Sequence, residues 1–184
     1  MCVLRHEFIE VKMRLAVKSS QRIPDKNYVG ILRFCISIKC WRPQVSDADR
    51  KQTRILLVDD FEIVRLMLRN ALTELGFTEI EEAEDGKTAM ALLKEAHNAG
   101  KPFGFVFCDW NMPEMTGIEV LEACRTAPEF ATLPIVMVTA EAEQESVVRA
   151  IRAGATDYVV KPIAPDVLER KVNKILTKMA GKAA

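Results

Sequence analysis

The sequence lacks the uninterrupted stretch of about 20 apolar residues that a membrane-spanning helix requires. Its most hydrophobic N-terminal run, YVGILRFCISI, is broken by Arg33, and the opening MCVLRHEFIEVKMR has no continuous apolar centre of the kind a secretory signal carries. Also missing is any paired CxxC spacing. The five cysteines, Cys2, Cys35, Cys40, Cys108 and Cys124, are odd in number and form no disulfide framework, which points to a reducing, cytoplasmic setting. Cys35 and Cys40 find no second pair or nearby histidine to complete a zinc site. No GxGxxG follows the first strand-like run, so the dinucleotide-binding fingerprint is absent.

Charge of one sign is also scarce where it would matter for nucleic acid. Residues 1–50 hold 10 Lys and Arg against 5 Asp and Glu, whereas residues 51–184 hold 16 against 21, so a formal net charge of zero divides into +5 and −5. Phosphate neutralisation needs clustered Lys and Arg, and the mildly acidic C-terminal part does not provide them. Neither a nucleic-acid nor a membrane partner is expected.

What is present is a globular composition, 49% hydrophobic over 184 residues, enough for one domain with some chain left over. From Arg54 onward short apolar runs recur about every 25 residues, close to the size of a strand-helix-strand unit: RILLV (54–58), EIEEA (79–83), FVF (105–107), PIVMVTA (134–140) and YVV (158–160). Between them, Val64, Leu68, Ala71, Leu72 and Leu75 fall on one helical face, and Leu168, Val172, Ile175, Leu176 and Met179 repeat that spacing near the C-terminus. Five strands alternating with five helices predict an α/β, doubly wound, five-stranded parallel sheet of the flavodoxin-like kind, covered on both faces.

In such a sheet ligands sit beyond the carboxyl ends of the strands, where the strand order reverses. With order 2-1-3-4-5 that point lies between the first and third strands, which end at Asp59 with Asp60 and at Asp109. Acids brought together there repel, by roughly 4 kcal/mol for a pair about 4 Å apart at an effective dielectric of 20. A hard divalent cation removes that cost, and oxygen-only ligands suit Mg²⁺ better than zinc. The same residues have blander readings. Asp59 with Glu62 has the spacing of a capping box opening the next helix, and Asp109 could bond its own turn in WNMPEMTG. Thr139 closes the fourth run, as a phosphoryl donor or the N-cap of the next helix. Lys161 closes the fifth, as a partner for carboxylate or phosphate or as a plain surface lysine. Pro162 restricts Lys161 to extended backbone and leaves either isomer of the bond open.

At these positions the sequence resembles the receiver domain of two-component response regulators, and within it the CheY-like chemotaxis group. The resemblance covers about residues 50–181 and rests on LLVDDF, ELGF, EEAEDG, DWNMPEMTG, MVTAEA and AGATDYVVKP together. It implies that Asp109 is the phosphoacceptor for a sensor histidine kinase. It further implies that Asp60 and Asp109 coordinate Mg²⁺, with Asp59 acting through water and the Asn111 backbone carbonyl completing the site. Thr139 and Lys161 match the pair that binds the phosphoryl group, and Tyr158 the aromatic switch that turns inward on activation. The implied partners are the kinase, the flagellar motor switch protein and a phosphatase. The output surface covers residues 141–180, and the protein is expected to be a cytoplasmic monomer that works as a signalling phosphoprotein rather than an enzyme. A haloacid-dehalogenase-type phosphatase is the alternative, but its nucleophile follows the first strand in a DxDx[TV] motif, whereas here that segment reads VDDFEIV.

The receiver is expected over residues 51–184, with VSDADRKQTR as a polar linker before the first strand. Ala184 follows soon after the last helix, so output is expected through protein contact rather than a further domain. Residues 1–50 depart from the family pattern and read as sequence upstream of the true start, second to that as a disordered basic extension, and third as a small packing appendage.

Overall fold

A computed structural model describes residues 47–140 and 144–182; the expectations for residues 1–46 lie outside the described residues. In chain order the elements are α1 (Asp47–Gln52), β1 (Ile55–Val58), α2 (Glu62–Glu74), β2 (Ile80–Ala83), α3 (Gly86–Asn98) and β3 (Phe105–Asp109). They continue with α4 (Gly117–Thr126), β4 (Ile135–Thr139), α5 (Gln144–Arg152), β5 (Asp157–Val160) and α6 (Pro165–Lys182). The five strands form one parallel sheet, as the alternation of strand and helix predicts, in the order β2-β1-β3-β4-β5 that the family resemblance implies.

The strands read as continuous apolar runs because both faces of the sheet are covered. Every residue of β1, β3 and β4 is buried, and the two-residue period of a strand sorts their side chains into two separate cores. Leu56, Val58, Val106, Cys108, Ile135 and Met137 face α3 and α4, meeting Leu93, Ile118, Leu121 and Cys124. Ile55, Leu57, Phe105, Phe107, Val136 and Val138 face α2 and α6, meeting Leu68, Leu72, Leu168, Val172 and Ile175. The helical face predicted near the C-terminus is therefore the face that packs. At its 25 cal/mol per Å², a buried leucine or phenylalanine of this kind stabilises by about 1.5–3 kcal/mol.

Helix ends show where local spacing governs and where it is overruled. Asp85 caps α3 by accepting from Thr88 N at 2.8 Å, and Thr116 and Glu119 form a full capping box at the start of α4. The capping box predicted from Asp59 and Glu62 does not form. The N-cap of α2 is Phe61, with no side-chain cap, because Asp59 is engaged elsewhere.

The segment read as a polar linker is also different. Residues Asp47–Gln52 are helical, and Arg50 ties this short helix to the receiver body: Nη1 donates to Leu75 O at 2.7 Å and Nη2 to Asn173 Oδ1 at 2.8 Å. Leu75 is the C-cap residue of α2, so Arg50 satisfies one of the carbonyls a helix end leaves open. α5 is thinly seated: among its described side chains Ala150 is buried, whereas Val148 and Ile151 are 45% and 59% exposed.

Candidate phosphoacceptor site

Strand register delivers the site. Val58 pairs with Cys108, so the next residues, Asp59 and Asp109, stand side by side at the carboxyl ends of β1 and β3. Asp109 in turn pairs with Val138, and Thr139 with Val160, which places Thr139 and then Lys161 on the same edge. The backbone continues the line, since Lys161 N donates to Thr139 O at 2.7 Å. The Lys161–Pro162 bond is cis.

Lys161 does more than approach the acids. Its Nζ lies 2.6 Å from Asp59 Oδ2 and 2.6 Å from Asp109 Oδ1, with Asp59 only 1% and Asp109 5% exposed. Two buried carboxylates thus share one ammonium, which satisfies the rule that buried charge must be paired. The remaining carboxylate oxygens face backbone: Asp59 Oδ1 accepts from Phe61 N at 3.0 Å, and Asp109 Oδ2 from Asn111 N at 2.8 Å. Asp109 therefore makes the local turn bond its sequence context allows with Oδ2, while Oδ1 faces Lys161. The surface-lysine reading of Lys161 does not hold, as its side chain is 19% exposed and bonded at both ends of its reach.

Burial pushes the Asp109 carboxyl above its ordinary range and the charge of Asp59 adds to this, while the Lys161 ammonium and Asn111 N–H draw it back part of the way. For Lys161 burial works against the ammonium, but the bonds and charges of Asp109 and Asp59 outweigh it, holding the group above its ordinary value.

Among the described residues no three His, Cys, Asp or Glu side chains stand together as a metal cage; Asp59 and Asp109 are gathered around Lys161 instead. The acid that remains is Asp60. Its Oδ1 is buried and has no hydrogen-bond partner, at the first-strand end of the same edge. An unpartnered buried carboxylate oxygen is costly unless a cation takes it up, so the residues fit a hard, oxygen-seeking divalent ion.

Three further features were not predicted. A Cβ on Gly117 would lie 1.8 Å from Asp109 O, so glycine is required where α4 passes under the acid's own carbonyl; the TG of the motif was its visible trace. Arg65, on α2, donates to Asp59 O at 2.6 Å, a contact with no spacing rule to betray it. Arg149 on α5 places its guanidinium 5.9 Å from the ring centre of Trp110, the residue after Asp109. Of the predicted switch residues, Thr139 is buried as the last residue of β4. Tyr158 is half-buried against the α3/α4 core, with Lys171 Nζ 4.9 Å from its ring centre. Asn111 is exposed and contributes through its backbone.

Residues 55–173, well over half of the chain, match the response regulator receiver domain. The chain belongs to that family. Within it, this receiver is 44% identical over 128 residues to the chemotaxis protein CheY of Pseudomonas aeruginosa, covering 70% of this chain and 99% of that protein. Among solved structures, the chemotaxis response regulator CheY4 of Vibrio cholerae superimposes with a TM-score of 0.60 at 33% identity, covering 67% of this chain and 98% of the other. A CheX–CheY–BeF3–Mg complex from Borrelia burgdorferi gives 0.61 at 25% identity, covering 67% and 88%. The receiver is of the CheY-like chemotaxis kind, and the strand order and helix alternation are those the resemblance implied. Among the described residues no helix is long and apolar enough to cross a membrane.

Proposed function

We propose that this receiver is a cytoplasmic, monomeric signalling switch in which Asp109 accepts a phosphoryl group from a sensor histidine kinase. The observation that carries the reading is the Lys161 ammonium bonded at 2.6 Å to both Asp59 and Asp109 at the open edge of the sheet. A surface lysine has no reason to be there; a group that must exchange a carboxylate for a phosphoryl oxygen does.

In the transfer an Asp109 carboxylate oxygen forms a bond to phosphorus as the bond to the donor's imidazole nitrogen breaks and its electron pair leaves with that nitrogen. A carboxylate is a weak nucleophile, so the protein contributes alignment and charge neutralisation. Asn111 N–H holds Asp109 Oδ2 and fixes the carboxylate plane. Lys161, already at Oδ1, follows the developing charge onto a phosphoryl oxygen, and the Thr139 hydroxyl donates to another. Asp60, Asp109 and the Asn111 carbonyl would hold Mg²⁺, with Asp59 acting through water. When bound, that ion neutralises phosphoryl charge. The Borrelia relative's solved complex with BeF3 and Mg supports both the ion requirement and a CheX-like partner.

Phosphorylation then biases an equilibrium between two arrangements, through Thr139 and the Tyr158 ring. The protein modifies itself rather than turning over a separate substrate. Phe61, Ile63 and Met67, 57–61% exposed beside the acidic turn, offer the kinase an apolar seat. Val148 and Ile151 on α5 lie on the face proposed for the flagellar motor switch protein.

Acetyl phosphate with Mg²⁺ should add one phosphoryl group by intact mass, and Asp109→Asn or a chelator should prevent it. Labelling that persists in Asp109→Asn refutes the assignment. Motor output is checked by binding to the motor switch protein of the same organism, which phosphorylation should strengthen.

A further inference from the structure

Asp60, the acid left for a divalent cation, is aimed by groups that do not bond its buried oxygen. With Oδ1 buried and unpartnered, its direction follows from the two peptide planes on either side. The plane before it carries Asp59 O, which accepts from Arg65 Nη1 at 2.6 Å. The plane after it carries Phe61 N–H, which donates to Asp59 Oδ1 at 3.0 Å. A peptide plane has almost no internal freedom, so holding one atom of each narrows the backbone angles at Asp60 and with them the line of its Cα–Cβ bond.

Arg65 is in turn held. Its Nε donates to Glu82 Oε2 at 3.1 Å, and the other Glu82 oxygen accepts from Arg69 Nε. The Arg65 side chain is 13% exposed. One end of its planar fork is thus fixed to edge strand β2, leaving the other end directed at the acidic turn. A guanidinium makes two such bonds in a set geometry; an ammonium cannot reproduce both.

From this geometry we infer that Arg65, anchored by Glu82, is a positioning residue for the divalent-cation site, fixing the Asp59–Asp60 peptide so that the Asp60 carboxylate is pre-aimed. The inference rests on the cation reading above. Charge alone points the opposite way, because a guanidinium near the site repels a cation, and Glu82 offsets that repulsion. Arg65→Lys separates the two effects: it keeps the charge and loses the fork.

The test titrates Mg²⁺ alone into full-length Trp41→Phe protein, reading Trp110 emission and, independently, calorimetric heat. Thermal unfolding in chelator is recorded beside it. Arg65→Lys and Arg65→Gln should weaken Mg²⁺ binding about tenfold, the scale of losses when a group supporting a metal ligand is removed. Glu82→Gln should shift it in the same direction by less. Mg²⁺ affinity in Arg65→Lys equal to the parent's, or tighter in Arg65→Gln, overturns the inference. If the Arg65 variants do not fold, an unchanged affinity in Glu82→Gln overturns it. A parent that shows no Mg²⁺ response by either readout overturns the cation reading and this inference with it; a responsive parent whose Arg65 variants bind Mg²⁺ as tightly overturns the inference alone.

Discussion

Lys161→Met isolates the electrostatics of the site. The ammonium is 2.6 Å from an oxygen of each acid, so those two oxygens are at most twice that distance apart, about 5 Å, where like charges repel by roughly 3 kcal/mol at an effective dielectric of 20. Removing the cation leaves two carboxylates, 1% and 5% exposed, without a counter-charge. The expected loss is about 3 kcal/mol of unfolding free energy at neutral pH in chelator, within the usual range for breaking a buried pair. For a domain of this size that is on the order of 10 °C in melting temperature. Mg²⁺ should restore part of the loss in the variant. The pH dependence has a definite sign. Burial already raises the folded-state pKa of Asp109, and without Lys161 it rises further. A carboxyl raised in the folded state favours folding below its unfolded value, near 4, and loses that contribution as pH rises through the folded value. The gap between parent and variant should therefore be widest near neutrality and close as the solution is acidified. Urea or thermal unfolding across pH measures it. A loss below about 1 kcal/mol, or one that neither Mg²⁺ nor acid reduces, would refute the reasoning.

Asp157 gives a pH dependence of the opposite sense: burial works against its carboxylate, but Lys171 and Lys174 outweigh that and hold it below the ordinary carboxyl range. Asp157→Asn should cost about 1–2 kcal/mol at neutral pH, with the difference vanishing as pH falls through that depressed range; a difference that persists at pH ~2 argues against the ion pairs as its source. Gly117→Ala places a methyl carbon where the Asp109 carbonyl stands, so it should destabilise by 3 kcal/mol or more and slow acetyl phosphate labelling even in molecules that remain folded. Wild-type labelling and stability in that variant would mean that the close approach is dispensable.

The edge carrying the chemistry was legible because it depends on period and register. Apolar runs of four or five residues mark strands, the residues closing the runs gather at the same edge, and the alternation with helices makes the sheet parallel, while the strand order is what the family resemblance implies. Contacts spanning the chain were not legible. Asp59 has a capping partner's spacing to Glu62, yet a lysine 102 positions away takes one of its oxygens and its own turn takes the other. The polarity of DADRKQ matches a linker as well as a helix, and what fixes it as a helix against the body is Arg50 reaching residues 25 and 123 positions away. Arg65 was hidden for the same reason. It sits in a plain amphipathic pattern, and its reach to a main-chain carbonyl six residues back exists only once β1 and α2 have met.

The thin seating of α5 has a consequence for how little work a signal must do. Among its described side chains, one alanine is sunk into the core, and a guanidinium rests near the ring of Trp110, next in sequence to Asp109, the proposed phosphoacceptor. Displacing a helix so lightly moored disturbs little of either core, and its tether begins one residue from the place where the proposed phosphoryl charge would arrive. Most of the molecule can then remain rigid while a small part of its surface is redrawn, so the free energy of a few hydrogen bonds is enough to be read by a partner.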